Sequence, residues 1–96
     1  RYAGIAMAHF KAGRYSEAVQ WARKSVQRKP IWRVGHAVLA ASLAQLDLIK
    51  EAKAAVDNYL DNIPNETISK LRFLPFKNHI DARRLEDGLH KAGLPE

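Results

Sequence analysis

Apolar residues recur three and four positions apart along most of the chain, and this spacing predicts helices rather than strands. A first helix is predicted over residues 2–12, and a second from Ser16, its predicted N-cap, to about Gln27. Gly13 allows a tight turn between them, and Pro30 ends the second helix because proline has no amide hydrogen to donate. The second helix has an inner face of small and branched residues: Ala18, Val19, Ala22, Ser25 and Val26. The pattern therefore predicts a helical hairpin.

The same plan returns in the next 34 residues. Helices are predicted over 33–45 and 48–62, with a turn at Leu46 and Asp47 between them and Pro64 at the end. The predicted inner face of the later helix is Leu48, Ala52, Ala55, Val56, Tyr59 and Leu60. Identical residues recur 34 positions apart, among them Glu17 and Glu51, Ala18 and Ala52, and Pro30 and Pro64. A period of this length is typical of helical repeat proteins, whose hairpins stack because none can bury its own apolar face.

The last thirty residues predict a capping element instead of a third copy of the hairpin. A short helix is expected over 67–74 and ends before Pro75, and Asn78 can cap a final helix that stops at Gly93. The final helix has one apolar stripe, Ala82, Leu85, Leu89 and Ala92, and a polar back. Such a helix keeps the open end of a repeat array from water, so its expected role is structural.

The repeat resembles the tetratricopeptide repeat (TPR) family. The first unit matches the family pattern at Tyr2, Ala6, Gly13, Tyr15, Ala18 and Pro30, and the second at Ala40, Ala52 and Pro64. The second unit departs from it at His36, Asp47 and Ile49. The resemblance implies an all-α fold, a right-handed α-solenoid of antiparallel helix pairs in one domain over residues 1–96. Repeat 1 would cover 1–32 and lack its opening residues, repeat 2 would cover 33–66, and a degenerate capping helical pair would cover 67–96.

A second resemblance concerns the C-terminal end. Residues 84–96 follow the pattern R-x-x-x-G-L-x-K-A-G-L-P-E, and residues 74–96 as a whole are similar to the C-termini of certain bacterial signalling proteins. Those proteins join a class III adenylate or guanylate cyclase domain to a TPR array. The resemblance implies that this chain is the C-terminal part of a longer parent. Any cyclase domain would then lie outside the chain, and no enzymatic activity is expected within it.

Composition narrows the class of protein further. The chain has 96 residues, 47% apolar and 27% charged, which is typical of one small globular domain. The absence of cysteine excludes disulfides and thiolate chemistry, and no apolar run approaches the ~20 residues that span a bilayer. A cytoplasmic location without membrane insertion is therefore expected.

The sequence predicts no catalytic, metal-binding or cofactor-binding site. It lacks a glycine-rich phosphate loop, and its four histidines never occur four residues apart as a helical metal pair requires. Glu86 and Asp87 are neighbours on a helix and point in different directions, which disfavours an acid–base pair. Ser16 and Ser25 have no plausible histidine and acid partners.

Positive charge is concentrated in the first third of the chain. The net charge is +6, and residues 1–33 hold eight of the sixteen Lys and Arg residues against Glu17 alone. The candidate basic patch is Arg14, Arg23, Lys24, Arg28, Lys29 and Arg33. It is either a solvated outer face with cations near a helix C-terminus or a footprint for nucleic acid or an acidic partner. Trp21 is expected to pack on the neighbouring helix and Trp32 between the repeats, although both could stack on bases.

The TPR resemblance also implies a concave groove lined by the first helix of each pair. Its predicted lining is Ala3, Met7, Phe10, Lys11, Val34, Ala37, Ala41, Ala44 and Gln45. Chaperone-binding members of the family place Lys, Arg and Asn in this groove, whereas Ala3 and Met7 occupy two of those places here. The predicted function is therefore protein–protein interaction with an apolar peptide or another segment of the parent. The alternative is a basic nucleic-acid-binding helical module.

Overall fold

Five α-helices account for most of the chain in a computed structural model that describes residues 1–96. They are α1 (Tyr2–Lys11), α2 (Tyr15–Arg28), α3 (Arg33–Gln45), α4 (Ile49–Asn62) and α5 (His79–Ala92). The structure contains no strands, so the predicted all-α class is confirmed. The predicted bounds of α3 agree with the structure, those of α1 and α4 differ from it by one residue at one end, and those of α2 by one residue at each end.

The backbone repeats with the same 34-residue period as the sequence. Gly13 and Asp47 occupy equivalent turn positions and both have left-handed φ angles, 79° and 60°. Lys29 and Ile63, which follow α2 and α4, have φ of −137° and −132° and ψ of 81° and 82°. Aspartate tolerates the left-handed region better than most side chains, so the second turn forms without glycine. The first four helices are therefore two hairpins of matching geometry.

Two predictions about the ends of the elements are wrong. Ser16 does not cap α2, because the helix already includes Tyr15 and its N-cap residue, Arg14, makes no side-chain capping bond. The helix expected over 67–74 is reduced to a single 3₁₀ turn at Ser69–Leu71. Pro75 explains the shortening, since proline disfavours helical backbone in the residue before it and leaves too few residues for a stable α-helix.

The ends of α5 agree with their predicted signals. The Asn78 side chain accepts a hydrogen bond from the Ile80 amide at 2.8 Å, which satisfies one of the free donors at the start of the helix. Gly93 follows α5 with φ of 97°, and its amide donates to the carbonyl groups of His90 and Leu89. This left-handed glycine turns the chain so that Leu94 is buried against the core.

Helix α3 is the centre of the molecule and packs against α1, α2, α4 and α5. Ten consecutive residues of α3, 35–44, are buried, and many of them are small. A helix enclosed on every side must be apolar all round, and small residues let its neighbours approach closely. Gly35 shows how close α2 lies, since a Cβ atom added there would fall 2.4 Å from Ser25 Oγ.

Helix α5 covers the side of α3 that the hairpins leave open. Leu85 and Leu89 are 2% and 0% exposed, as expected for the inner stripe, and burial of each contributes ~1.5–3 kcal/mol. Gly88 lies directly on α3, where an added Cβ would be 2.8 Å from the Ala41 carbonyl oxygen. The Arg84 guanidinium donates to the Phe10 carbonyl at 3.0 Å and so binds α5 to the end of α1 as well.

Candidate functional site

One half of the predicted groove is filled by α5. Ala41 lies under Gly88, and the Gln45 side chain donates to the Arg84 carbonyl at 2.9 Å. Besides the hydrogen-bonded Gln45, the predicted groove residues that are buried in this half are Phe10, Ala37, Ala41 and Ala44. In this structure a helix of the same chain, which approaches closely at Gly88, lies over Ala41 and Gln45, and the binding role of the groove residues stays a prediction.

The other half of the groove is open and forms a cleft between α1, the start of α3 and residues 73–76. Ala3, Met7, Lys11 and Val34, all predicted, line a cavity of about 390 Å³ together with Trp32, Leu74 and Phe76. A second cavity of about 390 Å³ shares Trp32, Val34 and Leu74 and continues toward Ile31, Ile63 and Phe73. We call the surface of these two cavities the apolar cleft: Ala3, Met7, Ile31, Trp32, Val34, Ile63, Phe73, Leu74 and Phe76.

Large apolar side chains of the cleft are exposed to water. Ile31 is 79% exposed, Trp32 52% and Phe73 65%. Isolated exposed apolar residues are ordinary, but three that line joined cavities are typical of an interaction site. The prediction that Trp32 packs between the repeats is therefore wrong. This tryptophan lies on the connection after α2, where it contributes to the cleft instead of the core.

The cleft residues that the sequence analysis missed lie in connecting segments. Ile31 and Trp32 follow Pro30, and Phe73, Leu74 and Phe76 surround Pro75. Helical periodicity gives no information about which side of an irregular segment is buried, so these residues carried no orientation signal. The available signal was compositional, since bulky apolar residues directly beside prolines are unusual in solvated loops.

Cations rest on the aromatic rings along the edge of the cleft. Lys11 Nζ lies 5.5 Å from the centre of the Phe76 ring, and Lys29 Nζ lies 6.0 Å from that of Trp32. Beyond Trp32, a third cavity of about 630 Å³ is lined by Arg1, Tyr2, Ala3, Ser25, Arg28, Lys29 and Trp32. We call Arg1, Lys11, Arg28 and Lys29 the basic rim. Attraction between a cation and a ring face holds the flexible side chains of Lys11 and Lys29 near the apolar surface.

The six residues of the predicted basic patch have different surroundings in the structure. Arg14 lies at the opposite end of α2, where its Nε donates to His9 Nδ1 at 2.8 Å. Arg23 lies 3.7 Å from a Glu51 carboxylate oxygen. Lys24 stacks on Trp21, 4.5 Å from the ring centre. Of the six predicted residues, only Arg28 and Lys29 belong to the basic rim.

Trp21 lies where it was predicted, against the neighbouring helix. Its ring centre is 5.7 Å from that of Tyr2 on α1. Arg28 lies over the other ring of this pair, 5.6 Å from the centre of Tyr2. The aromatic pair thus joins α1 to α2 and supports a cation of the basic rim.

Arg33, the remaining member of the patch, is bound to a buried carboxylate. Its Nε lies 2.8 Å from Glu66 Oε2, and the Tyr59 hydroxyl donates to the same oxygen at 2.7 Å. Glu66 is only 1% exposed, so its charge requires these two partners. Burial and the hydrogen bond to Glu66 raise the pKa of Tyr59. Arg33 is therefore a structural cation that fixes the start of α3.

His36 completes this buried cluster from α3. Its ring stacks on Tyr59, with ring centres 5.0 Å apart, and its Nε2 donates to the Pro30 carbonyl at 2.5 Å. Burial lowers the pKa of His36. The neutral imidazole therefore holds the connection between α2 and α3, which carries Ile31 and Trp32 into the cleft.

No group of three or more His, Asp or Glu side chains lies close enough together to hold a metal ion. None of the helices is sufficiently long and apolar to cross a bilayer. Comparisons of the chain with protein-family models, curated proteins and solved structures gave no match.

Proposed function

We propose that this chain is a TPR-type helical repeat module that binds a segment of another protein in its apolar cleft. The observation that carries the proposal is the exposure of Ile31, Trp32 and Phe73 around two joined cavities. Aromatic side chains held in a preformed cleft are typical anchors of protein interfaces. These three side chains are already exposed, so a partner can reach them without opening the core.

The repeat class is supported by the agreement of two periods. The 34-residue spacing of Ala18 and Ala52 in the sequence recurs in the turn geometry at Gly13 and Asp47. Both alanines are fully buried in their helices, as close helix crossings require. Three residues of the apolar cleft, Ala3, Met7 and Val34, lie on α1 and α3, the first helix of each pair, which is the surface that the TPR resemblance assigns to ligands.

The proposed setting is the cytoplasmic, non-enzymatic region of a bacterial signalling protein, such as a class III nucleotide cyclase. The support is the C-terminal pattern alone. Its residues include Leu89, Ala92 and Leu94, which are buried in the core, and Gly88, which lies against α3. A shared pattern here therefore supports a shared capping element, and any cyclase activity is proposed to lie outside this chain.

Nucleic-acid binding is the second candidate. It is favoured by the cations that lie on Trp21, Tyr2 and Trp32, because such rings can stack on bases. The cleft also has rings in Trp32 and Phe76, but the aliphatic surface of Met7, Val34 and Leu74 between them suits apolar side chains better than bases and so favours protein. Arg23 and Arg33 also already have carboxylate partners within the chain.

Gly4 provides the test of the cleft as a protein-binding site. It lines the first cavity, it is exposed, and an added Cβ would meet nothing within 4 Å. The probes are displayed random peptides of about 15 residues, roughly four helical turns, selected on the 96-residue chain. Gly4→Tyr should fill the cleft without strain and weaken binding of the selected peptides at least tenfold, about 1.4 kcal/mol.

Gly4→Ala is the matched control, because it makes the same backbone change without bulk and should keep the wild-type affinity. Calorimetric titration of both variants checks the result. Equal affinity of wild type and Gly4→Tyr for every selected peptide would contradict the proposal.

A further inference from the structure

Building on the proposed function, we infer that the segment bound in the apolar cleft is acidic, with Asp or Glu residues flanking its apolar anchors. The linings of the three cavities, which all include Trp32, contain Arg1, Lys11, Arg28, Lys29 and Arg33 and not one carboxylate. Only Arg33 among these cations has an acidic partner within the chain, namely Glu66. The four cations of the basic rim are therefore free to pair with charges on a ligand.

The basic rim brackets the cleft along α1. Arg1 precedes the helix and Lys11 is its last residue, so their backbones are about 15 Å apart at 1.5 Å per residue. Both residues line the same cavity, with Met7 between them. A ligand whose apolar side chains enter at Met7 and Trp32 therefore meets positive charge at both ends. Carboxylates separated by about ten helical residues, or about five extended ones, match this spacing.

The aromatic rings place the rim charges where a ligand carboxylate would arrive. Lys11 rests on Phe76 and Lys29 on Trp32, so each exposed ammonium group lies beside an aromatic ring of the cleft. A bound ligand would exclude water from this edge and strengthen the attraction. Exposed pairs contribute little individually, so charge would mainly set specificity and the rate of association.

The distribution of charge along the chain also favours an acidic ligand. Residues 1–33 carry eight cations against Glu17, whereas acidic residues outnumber basic ones in the remainder. The cleft therefore lies in the positive field of the first hairpin, which attracts acidic segments and repels basic ones. A polynucleotide would feel the same field, but the aliphatic walls at Met7 and Val34 favour side-chain anchors over bases.

The test uses peptides selected from the random display library on the 96-residue chain. The selected peptides that lose affinity for the Gly4→Tyr variant are expected to be enriched in Asp and Glu. Their affinity should fall about threefold to tenfold in the double variant Lys11→Gln, Lys29→Gln, mainly through slower association, and should weaken as salt is raised. The double variant Lys50→Gln, Lys53→Gln is the matched control on the exposed side of α4 and should bind like wild type.

The results separate the two proposals. Neutral or basic peptides that bind in the cleft, as shown by their loss in Gly4→Tyr, would overturn the acidic inference while supporting the proposed function. Peptides unaffected by Gly4→Tyr would overturn both. Tighter binding of single-stranded oligothymidine than of any selected peptide would also overturn the inference and make nucleic acid the ligand.

Discussion

His36 is a buried histidine whose protonation state is linked to the stability of the fold. Its Nε2 donates to the Pro30 carbonyl, its ring stacks on Tyr59, and its Nδ1 has no hydrogen-bond partner. A proton on Nδ1 would place a charge in an enclosed site without an acceptor. Burial accordingly lowers the pKa of His36, against a weaker opposing effect of the bond to Pro30.

The first prediction at this scale concerns pH. The unfolded chain takes up a proton on this imidazole near pH 6.5, whereas the folded chain does so only at lower pH. The unfolded state therefore binds more protons below about pH 6.5, and stability should be full above that pH and decrease below it. Urea unfolding at about pH 7.5 and 5.5 should show a smaller pH effect in His36→Gln than in wild type.

His79→Gln is the control for this experiment, because His79 is exposed at the start of α5. It should retain the full pH dependence of the wild type. An unchanged pH dependence in His36→Gln would show that other groups are responsible.

At the scale of elements, two glycines within helices have opposite roles. Gly4 in α1 faces open space, whereas Gly88 in α5 lies against the Ala41 backbone, 2.8 Å from an added Cβ. Alanine is the better helix former by about 1 kcal/mol, so packing alone decides the sign of each substitution. Gly88 therefore determines how closely α5 can approach α3.

The second prediction uses these glycines as a matched pair. Gly4→Ala should raise the free energy of unfolding by about 0.5–1 kcal/mol. Gly88→Ala should lower it by about 1–3 kcal/mol, because backbone atoms of α3 would have to move. Denaturant midpoints measure both changes. Stabilisation by Gly88→Ala would mean that α5 does not approach α3 this closely.

Much of the fold was predictable at this scale, and much of the site was not. The bounds of α3 were predicted correctly because apolar residues continue over the whole helix. The ends of α5 were predicted from Asn78, which caps its start, and Gly93, which follows its last residue. The apolar stripe of α5, which includes Leu85 and Leu89, did not indicate which helix α5 packs against, since these side chains could be buried against any apolar face. The predicted groove was therefore too long, and Trp32 and Phe73, which lie outside the helices, were missed as cleft residues.

For the whole molecule, Arg84 makes the longest-range connection. Its guanidinium donates to the Phe10 carbonyl at 3.0 Å, the Lys11 carbonyl at 2.7 Å and the Tyr15 hydroxyl at 2.8 Å. The two carbonyls belong to the last turn of α1, where only the Phe10 carbonyl also accepts a backbone hydrogen bond, from the Gly13 amide at 3.0 Å. Arg84 thus joins the first hairpin to α5 across more than seventy residues of sequence.

The third prediction is that Arg84→Met destabilises the chain by about 1–3 kcal/mol, since the carbonyls at the end of α1 lose a charged donor. Hydrogen exchange should also become faster in the last turn of α1 than in α4. The neighbouring change, Arg83→Met, is the control, because Arg83 is exposed and should leave the thermal midpoint nearly unchanged. Equal effects of the two substitutions would contradict the role of Arg84.

The enclosure of α3 also has a kinetic consequence. In a linear repeat array each hairpin contacts only its neighbours, so folding can begin in any hairpin and propagate to the next one. Here α3 is covered by α2 from one side of the sequence and by α5 from the other, and these two helices are separated by fifty residues. Neither half of the chain can shield α3 alone, which favours an all-or-none transition. Closing that long loop before α3 is shielded should make folding slower than in a repeat array of similar length with only local contacts.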